Sequence, residues 1–367
     1  MFERGVAVVY ATQRGAEVAH KISEALKKHR IHCVVFAPKR YTRKGEEPLE
    51  ESLSVEVKKL FEKFDAIVGV MAVGALIRSI APLLSNKFKD PAIVCVDIAG
   101  RFAISLLSGH YRGANYLTKL IADEIGAVAV ITTGSEVVGR KSVEEVARTL
   151  HSKILNLEDL VKLNSLIVNG MEVVVVFVGF DASKIPSSVC GYRALSARDL
   201  KEAALILREV DGGILVVRDL VGVEDFKAEV GKPVVFLRPK KIVVGIGARR
   251  DVTANEIVEA IKKVLEMAGI PLLLVDSMAT IDIKRGSKSI IEAASSLGLP
   301  LHYVRREEMK SFRHDNLSPD SEIVRRKIGL GGVCESAALI VAGGRDAKLL
   351  MRKVKIGRIT LALAEEG

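Results

Sequence analysis

The chain has 367 residues, of which 49% are hydrophobic and 27% charged, and its formal net charge is +10. This length predicts two or three domains, and this composition excludes a disordered or collagen-like chain. The net charge is +5 over residues 1–140, zero over 141–240 and +5 over 241–367. A basic balance favours an acidic partner, although surplus lysine and arginine also simply solvate a surface.

Several classes of protein are excluded by what the sequence lacks. The longest charge-free apolar stretch, Ala66–Ile77, is shorter than the about 20 residues that cross a bilayer, and the start has no secretion signal. The four cysteines are far apart, and the histidines have no zinc-ligand spacing. The absence of tryptophan and of basic runs with stacking rings argues against nucleic acid. We expect a soluble, cytoplasmic protein with no membrane or nucleic-acid partner and no metal site.

The first segment, residues 1–140, alternates apolar β-rich runs with helical patterns. Alternating strands and helices predict a mostly parallel sheet with helices on both faces. The predicted strands are Val6–Tyr10, Ile31–Phe36, Ala66–Val70, Ala92–Val96 and Ala127–Ile131. The predicted helices are Gly15–His29, Val55–Phe64 and Ala114–Ile125, and the charged stretch Pro38–Glu51 is predicted to be a loop.

The middle segment, residues 141–240, reads as a small α/β domain. Asn169-Gly170 predicts a hairpin turn between strands Leu166–Val168 and Glu172–Phe177. A helix is predicted over Asp199–Glu209, with strands at Gly213–Val217 and Val234–Leu237. Pro239 and the two lysines after it are the candidate linker.

The last segment, residues 241–367, begins again with strand, turn and helix and is predicted to be a third, α/β domain. Thr253 and Glu256 have the spacing of a capping box at the start of a helix. Two strands around Gly357 predict a terminal hairpin. The remaining predicted strands and helices are Ile242–Ile246, Thr253–Met267, Leu272–Val275, Ser289–Leu297, Leu301–Val304, Val333–Ala342, Leu349–Val354 and Arg358–Leu363.

Ligands of parallel sheets bind beyond the carboxyl ends of the strands, and this rule singles out the loops that carry polar residues. In the first segment, the candidate ligand-binding residues are Arg14, Gly74, Ala75, Arg78, Arg101, Gly109, Gly113 and Asn115. Glycine lets a backbone approach a ligand closely, and arginine holds carboxylates. The structural alternatives for these residues are ordinary turns, close helix–sheet packing and a structural Asp–Arg pair.

The candidate catalytic residues of this segment are His110, Asp97 and Glu136. His110 lies between glycines in a loop, and imidazole titrates near neutral pH. Asp97 follows a predicted strand and could act as a base or orient one, although a structural pair with Arg101 is the alternative. Glu136 is the weaker candidate for a second base.

The last segment carries a partial dinucleotide fingerprint. Gly245 and Gly247 follow a strand, but Arg250 occupies the third glycine position, so the match is weak. Arg249 and Arg250 suit carboxylate or phosphate binding, and Asp276 at the end of the next strand could hold a ribose. Lys284 and Glu335 are further binding candidates, with an ordinary helix surface as the alternative.

Taken in order, these motifs resemble the cobalamin biosynthesis protein G family. The residues that carry the resemblance are Val70–Arg78, Val96–Phe102, Leu106–His110, Gly113–Asn115, Val244–Arg250, Ala279–Lys284 and Gly332–Leu339. The chain departs from the family pattern at Ile98, where an acidic residue is expected, at Tyr111-Arg112, and at Arg285–Lys288. The first departure argues against a mechanism with paired carboxylates.

The resemblance implies a cobalt-precorrin-5A hydrolase of anaerobic cobalamin biosynthesis. Such an enzyme opens the δ-lactone of its substrate and releases acetaldehyde to give cobalt-precorrin-5B. Cobalt arrives in the substrate, so no cofactor is predicted. On this interpretation His110 is the base, Asp97 orients it, the backbone at Gly74, Ala75 and Gly109 holds the oxyanion, and the arginines hold the carboxylates of a polyanionic corrinoid. Neighbouring corrin-pathway enzymes and a second copy of the chain, as a homodimer, are the other candidate partners.

Two alternatives remain open from the sequence. A non-catalytic corrinoid-binding or handover module would need the same basic cleft without the acid–base group. A nucleotide-dependent oxidoreductase would use Gly245–Arg250 and Asp276.

Overall fold

The computed structural model describes residues 2, 4–29, 31–86, 89–110, 112–134, 139–218, 226, 229–249, 251–314, 317 and 332–367. Over these residues the chain divides into two compact units, Met1–Glu145 and Val146–Gly367. Within the same ranges, no helix is both long and apolar enough to cross a membrane. The domain limits predicted at 140 and 240 stay a prediction.

In the described part of the first unit, seven strands form one sheet in the order β3-β2-β1-β4-β5-β6-β7. The strands are β1 Val6–Tyr10, β2 Cys33–Pro38, β3 Glu47–Leu49, β4 Ala66–Val70, β5 Ala92–Val96, β6 Phe102–Leu107 and β7 Val128–Val130. The helices are α1 Ala16–Lys28, α2 Leu53–Lys63, α3 Val73–Ile80 and α4 Ala114–Ile125. Strands β1 to β5 are parallel to one another.

The central strands β1, β4 and β5 are apolar throughout because both faces of the sheet are covered. On one face, Val8 packs in a cluster with Ile22 of α1 and Leu117 of α4. On the other face, Val9 packs in a cluster with residues of α2 and α3, including Leu76. This arrangement confirms the prediction of a mostly parallel sheet with helices on both faces.

Strand β6 reverses the direction of the chain and was not predicted. A turn at Asp97–Arg101 returns the chain, so that β6 pairs antiparallel with β5 and Leu107 lies beside Ile93. Strand β7 is parallel to β6. The residues after β6 and β7 therefore lie at the amino edge of the parallel strands, whereas the loops after β1, β4 and β5 lie at the carboxyl edge.

Helix α5, Val143–Thr149, contains the boundary between the two units. In the described part of the second unit, a six-stranded sheet has the order β10-β11-β9-β12-β13-β8. Its strands are β8 Ser152–Ile154, β9 Val173–Val178, β10 Ser188–Val189, β11 Tyr192–Ala197, β12 Gly212–Val217 and β13 Val234–Pro239. The accompanying helices are α6 Leu160–Val168 and α7 Leu200–Arg208. Strands β11, β9, β12 and β13 are parallel, and the two edge strands are antiparallel.

The predicted hairpin around Asn169-Gly170 is wrong. Residues Leu166–Val168 are the last turn of α6, which buries Leu160, Leu163 and Ile167 at helical spacing. Gly170 adopts a φ of +74° after the helix, and Met171 N–H donates to the carbonyl of Leu166. An Asn-Gly pair suits a hairpin, but in this chain it ends a helix. Both kinds of turn need a residue in the left-handed region.

The second unit also holds a five-stranded sheet among its described residues, in the order β16-β15-β14-β18-β17. Its strands are β14 Ile242–Ala248, β15 Val275–Ile281, β16 Leu301–Val304, β17 Lys348–Ile356 and β18 Ile359–Glu365. The accompanying helices are α8 Ala254–Ala268, α9 Lys288–Leu297, α10 Arg306–Ser311 and α11 Val333–Ala342. The predicted capping box of Thr253 and Glu256 is confirmed, and so is the terminal hairpin, which β17 and β18 form. With this sheet, the predicted α/β fold class is confirmed.

Candidate active site

The loop after β6 holds an imidazole against a carboxylate. Nδ1 of His110 lies 3.3 Å from Oε2 of Glu145. The two side chains are largely buried, with exposed fractions of 19% and 11%. The loop is fixed at its start by Ser108, whose hydroxyl donates to the carbonyl of Asp90 at 3.1 Å and whose φ is +58°. A non-glycine residue in this left-handed region is uncommon and is held by its surroundings.

Glu145 is held in place by the start of helix α5. Its Oε2 accepts the backbone N–H of Ser142 at 3.0 Å, and its own N–H donates to the Ser142 hydroxyl at 3.3 Å. These reciprocal bonds are those of a capping box. Burial alone would raise the pKa of Glu145, but the nearby imidazole of His110, the hydrogen bond from the backbone N–H of Ser142 and the charge of Lys141 lower this pKa to about 2. The carboxylate is therefore ionised at neutral pH, and its negative charge lies beside the imidazole.

Asn115 ties the loop to the end of β7. It is 3% exposed, its Nδ2 donates to the Thr133 hydroxyl at 2.9 Å, and its Oδ1 accepts from the Ser105 hydroxyl at 2.7 Å. A Cβ on Gly109 would lie 2.6 Å from this Oδ1, so the backbone can approach Asn115 only at a glycine. Gly113 precedes α4 with a φ of +84°. The structure thus brings His110, Gly109, Gly113 and Asn115 together, with Asn115 as a positioning residue.

Asp97 lies at the opposite edge of the sheet from His110. Its carboxylate accepts the backbone N–H groups of Arg101 and Phe102 at 2.7 and 2.8 Å and Nε of Arg101 at 3.2 Å, and so closes the β5–β6 turn. The five residues of β5 separate the two edges by about 16 Å. The expectation that Asp97 orients His110 is therefore not met, and Glu145 is the carboxylate beside the imidazole.

The carboxyl edge collects another group of predicted residues. Arg14, Arg78 and Arg101 are exposed there, after β1, in α3 and after β5. Arg78 donates to the carbonyl of Gly74 at 3.1 Å, and the Ser79 hydroxyl donates to the carbonyl of Ala75 at 3.0 Å. Gly74 and Ala75 lie in the first turn of α3, at this edge of the sheet, whereas Gly109 lies at the other edge. The prediction that these three residues form one oxyanion site is therefore wrong.

The predicted binding residues of the last segment lie in the second unit. A Cβ on Gly245 would lie 1.9 Å from the carbonyl oxygen of Cys334, so this glycine is needed for the packing of α11 on β14. Gly247 accepts from Thr360, and Lys284 donates to the carbonyl of Ala248 at 2.8 Å. Arg249 is exposed after β14.

The carboxylates of Glu335 and Asp276 bond to other groups of this unit. Glu335 is 1% exposed, and its Oε1 accepts the backbone N–H of Lys353 at 2.8 Å. Asp276 stands near the start of β15, not at the end of a strand as predicted, because Leu272–Leu274 form a 3-10 turn and the strand begins after them. Its carboxylate pairs with Arg218 and accepts the N–H of Ile242. Glu136 and Arg250 lie outside the described residues.

Three family models match successive parts of the chain. Residues 56–136 match the cobalamin synthesis G N-terminal region, residues 141–204 the CbiG-like linker domain, and residues 242–364 the cobalamin synthesis G C-terminus. The chain belongs to the cobalamin synthesis G family. The resemblance drawn from the sequence motifs is thereby confirmed.

Members of the cobalamin synthesis G family are similar to this chain over nearly its whole length. A cobalt-precorrin-5A hydrolase of Priestia megaterium is 28% identical, over 98% of this chain and 94% of the relative. A cobalt-precorrin-5A hydrolase of Salmonella typhimurium is also 28% identical, over 98% of this chain and 97% of the relative. A solved structure of a cobalamin biosynthesis protein G homologue from Sulfolobus solfataricus is 27% identical over 100% of this chain and 98% of that chain, with a TM-score of 0.49.

Glu145 is the residue of the site that the sequence interpretation missed. Its signal is the pattern Ser142-Val143-Glu144-Glu145, which has capping-box spacing before an apolar helix. The pattern predicts that Glu145 forms a capping box with Ser142. Its contact with His110 cannot be predicted in this way, because that contact depends on the path of β6 and β7.

Proposed function

We propose that this chain is a cobalt-precorrin-5A hydrolase, which opens the δ-lactone of its substrate and releases acetaldehyde to give cobalt-precorrin-5B. The proposal is supported by relatives of that name aligned over nearly the whole chain. The structural observation that carries it is the pair of His110 and Glu145 in a glycine-bordered loop. The catalytic and substrate-binding roles given below are part of the proposal.

Lactone opening needs a base, an oxyanion stabiliser and an acid. His110 takes a proton from water as the water oxygen adds to the lactone carbonyl, and Glu145 stabilises the imidazolium that forms. The backbone N–H groups of the loop at Gly109 are assigned to the oxyanion, and one such donor is worth about 10²–10³ in rate. The carbon–oxygen bond then breaks, and the imidazolium returns its proton to the departing alkoxide.

Acetaldehyde release can use the same imidazole. The hydroxyl left by lactone opening loses its proton to His110 while the adjacent carbon–carbon bond breaks. The two-carbon unit leaves with a new carbonyl group, and the ring carbon keeps the electron pair and is protonated. Both steps need only proton transfers to and from His110, with no net oxidation or reduction. The proposal therefore needs no cofactor beyond the cobalt that the substrate carries.

The corrinoid substrate is a polycarboxylate, and the exposed arginines are assigned to its side chains. Arg14, Arg78 and Arg101 are exposed at the carboxyl edge of the first unit's sheet, the opposite edge from His110, and Arg249 and Lys284 belong to the second unit. The proposal places the enzyme in the cytoplasm. Neighbouring corrin-pathway enzymes and a homodimer stay proposed partners, to be tested by co-purification and by size-exclusion chromatography.

The decisive experiment incubates the purified chain with cobalt-precorrin-5A and measures acetaldehyde with an alcohol dehydrogenase and NADH. Wild type should release acetaldehyde, and His110→Ala should bind the substrate but lose turnover. His302→Gln, at an exposed histidine of β16, is the matched control and should keep full activity. Folded wild-type protein that releases no acetaldehyde would contradict the proposal, and so would a fully active His110→Ala variant.

A further inference from the structure

The second unit contains a cleft that the proposed reaction does not use. It lies at the carboxyl ends of β9, β11 and β12, has a volume of about 530 Å³ and is lined by Val178, Gly179, Arg198, Asp199, Leu200, Lys201, Val217 and Arg218. The chain places β11 on one side of β9 and β12 on the other, so the winding reverses at this point of the sheet. Such a reversal opens a crevice where ligands of parallel sheets bind.

Three cationic side chains face this cleft. Arg198 follows β11, Lys201 lies in the first turn of α7 and Arg218 follows β12. Among the described lining residues, the acidic one is Asp199, which accepts the N–H of Glu202 at 2.9 Å and so caps α7. Two of these cations have a carboxylate partner, since Arg198 pairs with Glu202 and Arg218 pairs with Asp276.

The two arginines differ in how their guanidinium groups are bonded. Nε of Arg198 donates to Oε2 of Glu202 at 2.9 Å, and this bond leaves its two Nη groups to other acceptors. Arg218 pairs with Asp276, donates to the carbonyl of Leu273 at 3.3 Å and lies over the ring of Phe180 at 4.8 Å. The two Nη groups of Arg198 present a planar fork, which suits a carboxylate, whereas both Nη groups of Arg218 already donate, one to Asp276 and the other to Leu273.

The cleft also offers apolar surface. Val178, Leu200 and Val217 contribute to its lining. A second cavity of about 300 Å³ shares Gly179 and Arg218 with it and adds Leu272, Leu273 and Leu299. A bare inorganic anion would leave this apolar surface in water, whereas the carbon body of an organic anion would cover it.

We propose that this cleft is a binding site for an organic polycarboxylate, whose carboxylates pair with Arg198, Lys201 and Arg218 and whose carbon body rests on the apolar residues. Two kinds of ligand carry these carboxylates on a carbon body. One is a polycarboxylate corrinoid, through the carboxylates at its rim, and the other is a free small polycarboxylate of metabolism. The inference does not rest on the proposed hydrolase activity, since His110 and Glu145 belong to the other unit.

Calorimetric titration of the full chain with cobyrinic acid, with citrate and with inorganic phosphate, each in a separate arm, tests the proposal. Lys201→Gln and Arg198→Gln should each weaken polycarboxylate binding about tenfold, because each removes one charge-assisted contact. Both residues are exposed, and the lost Arg198–Glu202 pair is a surface pair, so the fold should be kept. Lys263→Gln, an exposed lysine of α8, removes the same charge elsewhere and should leave binding within about twofold.

Binding of cobyrinic acid alone supports the proposal with the corrinoid as the source, and binding of citrate as well supports it with a free metabolite as the source. Because His110→Ala is expected to keep substrate binding at the hydrolytic site as well, it is the loss of binding in the Lys201→Gln and Arg198→Gln variants that separates this site from the hydrolytic one. The proposal is overturned if neither polycarboxylate binds, if the Lys201 and Arg198 variants bind like the Lys263 control, or if phosphate binds as tightly as the polycarboxylates.

Discussion

Nδ1 of His110 and Oε2 of Glu145 are 3.3 Å apart, although one residue follows a strand and the other begins a helix. The carboxylate is held beside the imidazole by its own capping box. This pair places an ionised carboxylate beside the imidazole that the proposed mechanism uses as its base.

Replacing Glu145 with Gln should lower kcat for acetaldehyde release by about 10²-fold or more, with KM nearly unchanged, because a neutral amide does not stabilise the imidazolium. Steady-state kinetics with cobalt-precorrin-5A measures both constants. Glu145→Asp should recover part of the lost kcat, since it restores the charge at a greater distance. Glu259→Gln, on an exposed stretch of α8, is the control. Equal kcat values in the Glu145→Gln variant and the wild-type protein would rule out the positioning role.

The stability of the first unit should fall in acid because of Glu145. The pKa of this carboxyl is about 2 in the folded chain against an ordinary value of 4.5, so its contribution is complete above about pH 4.5 and is lost as the pH falls towards 2. Urea unfolding at pH 7, 4 and 3 should show the gap between wild type and Glu145→Gln closing as the pH drops. A gap that stays constant over this range would show that the carboxylate contributes nothing through its charge.

Gly109→Ala should impair catalysis more than it impairs folding. The added methyl group would meet Oδ1 of Asn115 at 2.6 Å, which forces the His110 loop away from Asn115. We expect kcat to fall by about 10-fold or more, because small misplacements of a catalytic group are costly. Gly286→Ala, where a Cβ meets nothing within 4 Å, is the matched control for acetaldehyde release. Full activity in Gly109→Ala would mean that the loop tolerates the shift.

Gly245→Ala should destabilise the second unit by about 3 kcal/mol or prevent its folding, since a Cβ there would lie 1.9 Å from the backbone oxygen of Cys334. The helix α11 would have to move off the sheet. Thermal and urea unfolding measure the change, with Gly286→Ala again as the control. A stability equal to that of wild type would show that α11 is not packed against β14 as described.

Tyr10→Phe should cost about 1–3 kcal/mol, because it removes a buried hydroxyl that donates to the carboxylate of Glu46 at 2.9 Å. Burial and the hydrogen bond to Glu46 raise the pKa of Tyr10 to about 12, so the hydroxyl stays protonated at neutral pH. Tyr116→Phe, at a residue that is 45% exposed, should change the unfolding free energy by no more than about 0.5 kcal/mol. Similar urea midpoints for the two variants would contradict the expected difference.

Local patterns in the sequence predicted a large part of the fold. The apolar runs of β1, β4 and β5 and the capping box at Thr253 were readable because each depends on neighbouring residues only. The predicted hairpin at Asn169-Gly170 was wrong for the same reason, because a left-handed turn suits the end of a helix and a hairpin equally well. The burial of Leu163 and Ile167 at helical spacing decides between the two.

The sequence by itself determined the family motifs, the glycine-bordered loop and the presence of a titratable imidazole within it. Only the tertiary structure decided that β6 runs against β5, and this single reversal put His110 beside Glu145 and away from Asp97. The physical reason is that side-chain periodicity specifies a strand, whereas its direction and partner depend on packing between residues distant in the chain.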